Sequence, residues 1–208
     1  MTEQKLKSIL EKARIEYGDY EDTVESKLQK ISPSEKLVVA SGASKTCLIF
    51  AKENFVIKWN STRYGTECQN EYRIYQKAIE ARVSQVFPKT NFFAKINDIE
   101  FYIQEYIPTT VQRQSQLTEE RADKIVRTVK PATQKRMAKG FNIPNVGYNR
   151  HLDERWAKVV ISIYGKTFVK ALCAFIQENK INDLHTSNIG YKGKHPYIID
   201  FSGYENNF

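Results

Sequence analysis

The residues best equipped for chemistry lie in 181–204, INDLHTSNIGYKGKHPYIIDFSGY. Asp183 is followed by Leu184-His185-Thr186-Ser187 and then by Asn188. A turn, Lys192-Gly193-Lys194, leads to an apolar run, Tyr197-Ile198-Ile199, that delivers Asp200. A turn between two apolar segments reads as a β-hairpin. The hairpin is expected to bring Asn188, before its first strand, close to Asp200, after its second. Hard oxygen ligands converging in this way suit Mg²⁺, which takes few protein groups and keeps substrate phosphates and waters. Asp183, one short loop away, is placed to orient or deprotonate an attacking hydroxyl. This order of groups suits phosphoryl transfer from a nucleotide.

The elements that must position these groups begin with three short strands in residues 36–59: Leu37-Val38-Val39, Thr46-Cys47-Leu48-Ile49-Phe50 and Phe55-Val56-Ile57-Lys58-Trp59. Between the first two lies Ala40-Ser41-Gly42-Ala43-Ser44-Lys45, a small-residue loop of the kind whose backbone N–H groups approach phosphates closely. Ser44-Lys45-Thr46 lacks the glycine before its lysine, so a Walker A reading is rejected. A helix follows from Thr66, with Tyr72, Tyr75, Ala78 and Ile79 on its expected apolar face. Alternating segments at 92–96 and 100–106 read as strands, and the second runs into Gln104-Glu105-Tyr106-Ile107-Pro108. Residues 156–180 predict a long core helix leading directly to Asp183, its apolar face being Val159, Val160, Ile163, Phe168, Ala171, Leu172, Phe175 and Ile176. Gly165 is expected to weaken the middle of this helix or to allow close packing. Ahead of everything, residues 3–31 predict two packing helices divided near Gly18-Asp19, with Leu6, Ile9, Leu10, Ala13, Val24, Leu28 and Ile31 at helix spacing.

Taken together, the motifs resemble the protein-kinase-like fold. The pattern H-R-D-x-x-x-x-N followed by D-F-G corresponds to Ile181-Asn182-Asp183…Asn188 and Asp200-Phe201-Ser202. Asp183-Leu184-His185-Thr186-Ser187-Asn188 is closer still to the D-x-H-x-x-N of aminoglycoside phosphotransferase-like and other atypical kinases. Two departures are Ile181-Asn182 in place of His-Arg and Ser202 in place of the last glycine. Val56-Ile57-Lys58 resembles the V-A-I-K strand, which implies that Lys58 pairs the nucleotide phosphates. A glutamate of the following helix would then pair Lys58; Glu71 is the choice, with Glu67 one turn earlier on nearly the same face. The resemblance makes Gly42 part of the phosphate loop and Gln104 the gatekeeper. The Glu105 carbonyl and the Ile107 N–H would face adenine.

The resemblance covers about 36–108 and 160–204. It implies an α+β, two-lobed fold with a β-rich N-lobe and a reduced helical C-lobe lacking the activation segment and later helices. The expected division is an N-terminal helical extension at 1–35, a nucleotide-binding lobe with hinge at 36–108, and a reduced C-lobe at 109–208. The implied activity is that of an atypical minimal kinase, similar to RIO-type kinases and of microbial or viral type. ATP with Mg²⁺ would supply the γ-phosphoryl group to a hydroxyl, a protein serine or threonine being preferred over a small molecule. Asp183 and Lys58 would be catalytic, and Asn188 and Asp200 would hold the metal. The alternative is a weak or inactive nucleotide-binding module on the same fold that acts by binding a partner.

Composition limits the remaining classes. The 208 residues are 41% hydrophobic and 27% charged, with a formal charge of +8 and a pI near 9.2. Residues 111–158 hold eleven Lys or Arg and five Asp or Glu, a net of +6. That segment reads either as a solvated charged face or as a site for an acidic acceptor or partner; its sparse aromatics argue against a single-strand nucleic-acid platform. Three widely spaced cysteines form neither a zinc pattern nor a disulfide framework, so a reducing, cytoplasmic setting is expected. No uninterrupted apolar run is long enough to suggest a membrane span.

Overall fold

The computed structural model describes residues 1–34, 37–108, 154–181, 184 and 186–202. Among them the fold is mixed α+β, and the chain groups into two compact units. The first comprises Met1–Tyr72 and Lys89–Tyr106, and the second Arg73–Pro88 and Ile107–Phe208.

The first unit is built on a five-stranded antiparallel sheet of order β1-β2-β3-β5-β4. Its strands are β1 Val38–Ser41, β2 Lys45–Phe50, β3 Phe55–Asn60, β4 Thr90–Ile96 and β5 Ile99–Glu105. Asn97 and Asp98 close the β4–β5 hairpin with φ of 49° and 67°, the left-handed pair that a two-residue turn requires. Strand alternation gives the sheet two unlike faces. Leu48, Phe50, Ile57 and Trp59 fall on one face. They join a core with α1, Glu3–Ala13, and α2, Glu21–Ile31.

Thr2 caps α1 by accepting a hydrogen bond from the Lys5 N–H at 3.3 Å. The chain leaves α1 at Arg14 in the left-handed region and turns through Gly18 at φ 87°. The break thus falls where the sequence indicated. Leu6, Ile9, Leu10, Ala13, Val24 and Leu28 are all buried, whereas Ile31 at the end of α2 is 38% exposed.

The helix after β3 is α3, Glu67–Glu80. Its buried stripe is Glu71, Ile74, Tyr75 and Ala78, at i, i+3, i+4 and i+7. Ile79, expected on that stripe, lies one residue beyond it and is 48% exposed. A carboxylate therefore occupies a core-facing position at the helix's upper end.

In the second unit a buried cluster joins the end of α3 to α4, Glu154–Glu178. Phe87 meets Phe175 and Phe201 edge-on at ring separations of 5.7 and 5.0 Å. The hairpin of β6, Ile189–Lys192, and β7, His195–Ile198, turns through Gly193 at φ 61°. Helix α4 is not continuous: Gly165 sits at φ 78° and ψ 175° and kinks it. A Cβ there would meet nothing within 4 Å, so the glycine serves the backbone and not close packing.

Val159, Val160, Leu172, Phe175 and Ile176 are buried as expected, but Ala171 is exposed and Val169 is buried in its stead. Val159–Glu178 is long and apolar enough by composition to cross a membrane, although lysines interrupt it. Seven of its side chains, from Val159 to Ile176, lie in the buried cluster of this unit.

Candidate functional site

Register explains how the cationic groups meet. β2 and β3 pair Cys47 with Lys58 and Lys45 with Asn60. Lys45, two residues from Cys47, therefore shares a face with Lys58 as its diagonal neighbour. This face is opposite the one covered by α1 and α2. Glu71 lies against it: Oε2 accepts from Lys58 Nζ at 3.1 Å and Oε1 from Lys45 Nζ at 2.8 Å. The two lysines are each 5% exposed and Glu71 1%. Glu71, and not Glu67, is thus the partner of Lys58. Glu67 keeps a buried Oε2 with no hydrogen-bond partner.

Glu71 is held by a polar frame that sequence reasoning missed. Asn60, 4% exposed at the end of β3, accepts the Cys68 N–H at 2.9 Å. Its amide donates to the Gly65 carbonyl at 2.8 Å and to Gln69 Oε1 at 2.7 Å. Gln69 donates in turn to Glu100 Oε2 at 2.9 Å, which also accepts from the Tyr102 hydroxyl at 2.8 Å. Tyr102 pairs with Lys58 across β3 and β5. The chain of bonds ties α3's first turns to both central strands. Burial and the bond to Glu100 raise the Tyr102 phenol well above its ordinary value. Burial likewise raises the Cys68 thiol, with the Glu71 charge adding to the effect. Cys68 is therefore an unreactive core thiol.

Two backbone amides at the loop before β2 are engaged within the protein. The Gly42 N–H donates to the Lys45 carbonyl at 2.8 Å, and the Ser41 N–H donates to Glu21 Oε2 at 3.1 Å. Gly42 has no left-handed φ, and a Cβ on it would come no nearer than 3.9 Å to the Lys45 carbonyl. At the other end of the sheet, Gln104 is 1% exposed and donates to Thr90 Oγ1 at 3.0 Å. The Glu105 N–H is bound to the Lys89 carbonyl at 2.9 Å and the Tyr106 N–H to the Asn54 carbonyl at 3.1 Å. The Ile107 side chain is buried.

The second unit holds Asn188 and Asp200, the residues expected to bind Mg²⁺. The Asn188 carbonyl accepts the Ile199 N–H at 2.7 Å and the Asp200 N–H at 3.5 Å, so the hairpin brings residues 188 and 200 together. Asn188 is 9% exposed. Ser202 Oγ donates to Asp200 Oδ1 at 3.4 Å, and Phe201 between them is anchored against Phe87. Asp183 lies outside the described residues, as does nearly all of the basic segment 111–158. Among the described residues no three His, Cys, Asp or Glu side chains form a metal-binding group.

Parity along the β2–β3 hairpin was the signal that would have found Lys45. A lone buried asparagine two residues past Lys58 had no such signal. No family model matches the chain, and neither does any curated protein or solved structure.

Proposed function

We propose that the chain is an ATP-dependent phosphotransferase of the protein-kinase-like, two-lobed fold, transferring the γ-phosphoryl group to a hydroxyl acceptor. The observation that carries this reading is the buried Lys58–Glu71 ion pair, 3.1 Å long, between a sheet strand and the helix that follows it. A buried lysine is costly unless paired and hydrogen-bonded. Holding one on a strand beside a small-residue loop gives a positioned cation for phosphate oxygens. The order of elements supports it too: three strands, a helix bearing the glutamate, two strands, then a long helix and a hairpin carrying Asn188 and Asp200.

In this reading Lys58 contacts the phosphates and Glu71 fixes its ammonium. Asn188 and Asp200 offer the hard oxygen atoms that Mg²⁺ prefers, and Ser202 orients the Asp200 carboxylate. Magnesium, when bound, would neutralise charge on the phosphate oxygens. Asp183 accepts or orients the acceptor's proton, a role worth roughly 10²–10⁴-fold in rate. The net +6 of residues 111–158 favours an acidic acceptor, and a protein serine or threonine is preferred.

The test is ATP binding and γ-phosphoryl transfer by the purified chain with Mg²⁺ and a cell extract as acceptor source. Binding is expected in the wild type and is weakened in Lys58→Met. Asp183→Asn is expected to bind Mg-ATP but to lose most turnover. A wild-type chain that binds no nucleotide rejects the proposal. One that binds but transfers nothing to itself or to the extract is a partner-binding module instead.

A further inference from the structure

We propose that Lys45 is a second phosphate-contacting residue, held with Lys58 on the single carboxylate of Glu71, so that a nucleotide polyphosphate meets two ammonium groups. The inference rests on the nucleotide-site reading above and adds a residue to it. Its first support is geometry. Lys45 Nζ is 2.8 Å from Glu71 Oε1 and Lys58 Nζ is 3.1 Å from Glu71 Oε2, so one carboxylate spaces two cations on one sheet face.

The second support is energetic. A purely structural position on this sheet face would be filled as well by an apolar residue, because buried ion pairs rarely exceed well-packed apolar groups in stability.

The third support is independent and comes from the loop. The N–H groups of Ser41 and Gly42 are engaged by Glu21 and by the Lys45 carbonyl. These two amides are turned to the protein and not to a ligand. Charge from the side chain that ends the loop takes over the work that they would do for a phosphate. Lysine suits this as a compact point charge on a flexible stem.

The experiment measures ATP, ADP and adenosine affinity, with Mg²⁺, for the wild type, Lys45→Gln, Lys45→Met, Lys45→Arg and Lys58→Met. Lys45→Gln keeps a hydrogen-bond donor toward Glu71 and removes the charge. It is expected to weaken ATP and ADP roughly tenfold to hundredfold, the scale of one charge-assisted hydrogen bond, and to leave adenosine unchanged. Lys45→Arg is expected to recover most of the loss. Wild-type ATP affinity in Lys45→Gln, beside a clear loss in Lys58→Met, overturns the inference and leaves the nucleotide site standing. Equal losses for adenosine and ATP show a structural lysine and also overturn it. If Lys45→Met does not fold, the Gln and Arg variants decide. A wild type that binds none of the three ligands overturns the site reading and this inference together.

Discussion

Asn60 sits two residues past Lys58 on β3 and makes two hydrogen bonds to the first turn of α3 and one to Gly65 just before it. Removing its side chain strands the buried Cys68 N–H and loosens the turn that carries Glu71. Asn60→Ala is expected to cost about 1–3 kcal/mol, read as a lower urea midpoint with an unchanged slope; an unmoved midpoint would remove Asn60 from the frame. Tyr102 offers a pH readout. Its folded pKa lies above the ordinary 10.0, so above that pH the unfolded chain loses the proton first. The unfolded state then binds fewer protons, and stability falls as pH rises. The contribution is complete below 10.0 and is lost as pH climbs through the folded value. Tyr102→Phe should be less stable at neutral pH by about 1.5–3 kcal/mol, the value of a bond to a charged acceptor. Its stability should also decline less steeply above pH 10.0. Parallel alkaline limbs for the two proteins would assign the decline to other groups.

Among the elements, α4 depends on a single backbone position. Gly165 at φ 78° and ψ 175° occupies a region that is almost reserved for glycine. Gly165→Ala is expected to cost about 1–3 kcal/mol, or a fall in thermal midpoint of about 2–4 °C per kcal/mol for a chain of this size. Gly42→Ala is the matched control, since its backbone is ordinary and its Cβ meets only the Lys45 carbonyl at 3.9 Å. Equal midpoints for the two variants would mean that the kink is not held by the glycine. Gly190 in β6 has a different reason for lacking a side chain: a Cβ would run into the Pro108 carbonyl and the Ile199 side chain. Close approach, and not backbone freedom, excludes alanine there.

For the molecule as a whole, the N-terminal helices belong to the core of the first unit and are not an appendage to it. Leu28 is fully buried and clusters with Leu48, Phe50, Ile57 and Trp59 of the sheet. The tie continues at the surface, where the Tyr17 hydroxyl donates to the Asp98 carbonyl at 3.3 Å and the Gly18 N–H to the Ser61 carbonyl at 3.1 Å. Covering one sheet face with helices leaves the other for the lysine–glutamate cluster. Leu28→Ala should cost about 2–5 kcal/mol through lost burial and the cavity left behind. Equilibrium denaturation checks the size, and a loss under half a kilocalorie would make the extension an independent accessory.

The sequence by itself determined the elements whose signals are local. Strand alternation, the Gly193 turn and the spacing of Leu6, Ile9 and Leu10 each depend on neighbours in the chain, so the sheet strands and the first two helices were legible. Proximity of Asn188 and Asp200 followed as well, because a short hairpin joins them. Tertiary structure alone decided the rest. The choice of Glu71 over Glu67 rests on which turn of α3 faces the sheet, and that is set by Asn60, Gln69 and Glu100, residues drawn from three elements. The pairing of Lys45 with Glu71 depends on strand register and helix docking at once. The exposure of Ala171 rests on how α4 docks, since Val169, Leu172 and Ile176 take the buried positions. Side-chain spacing reports which residues share a face; only packing between distant elements decides what that face meets.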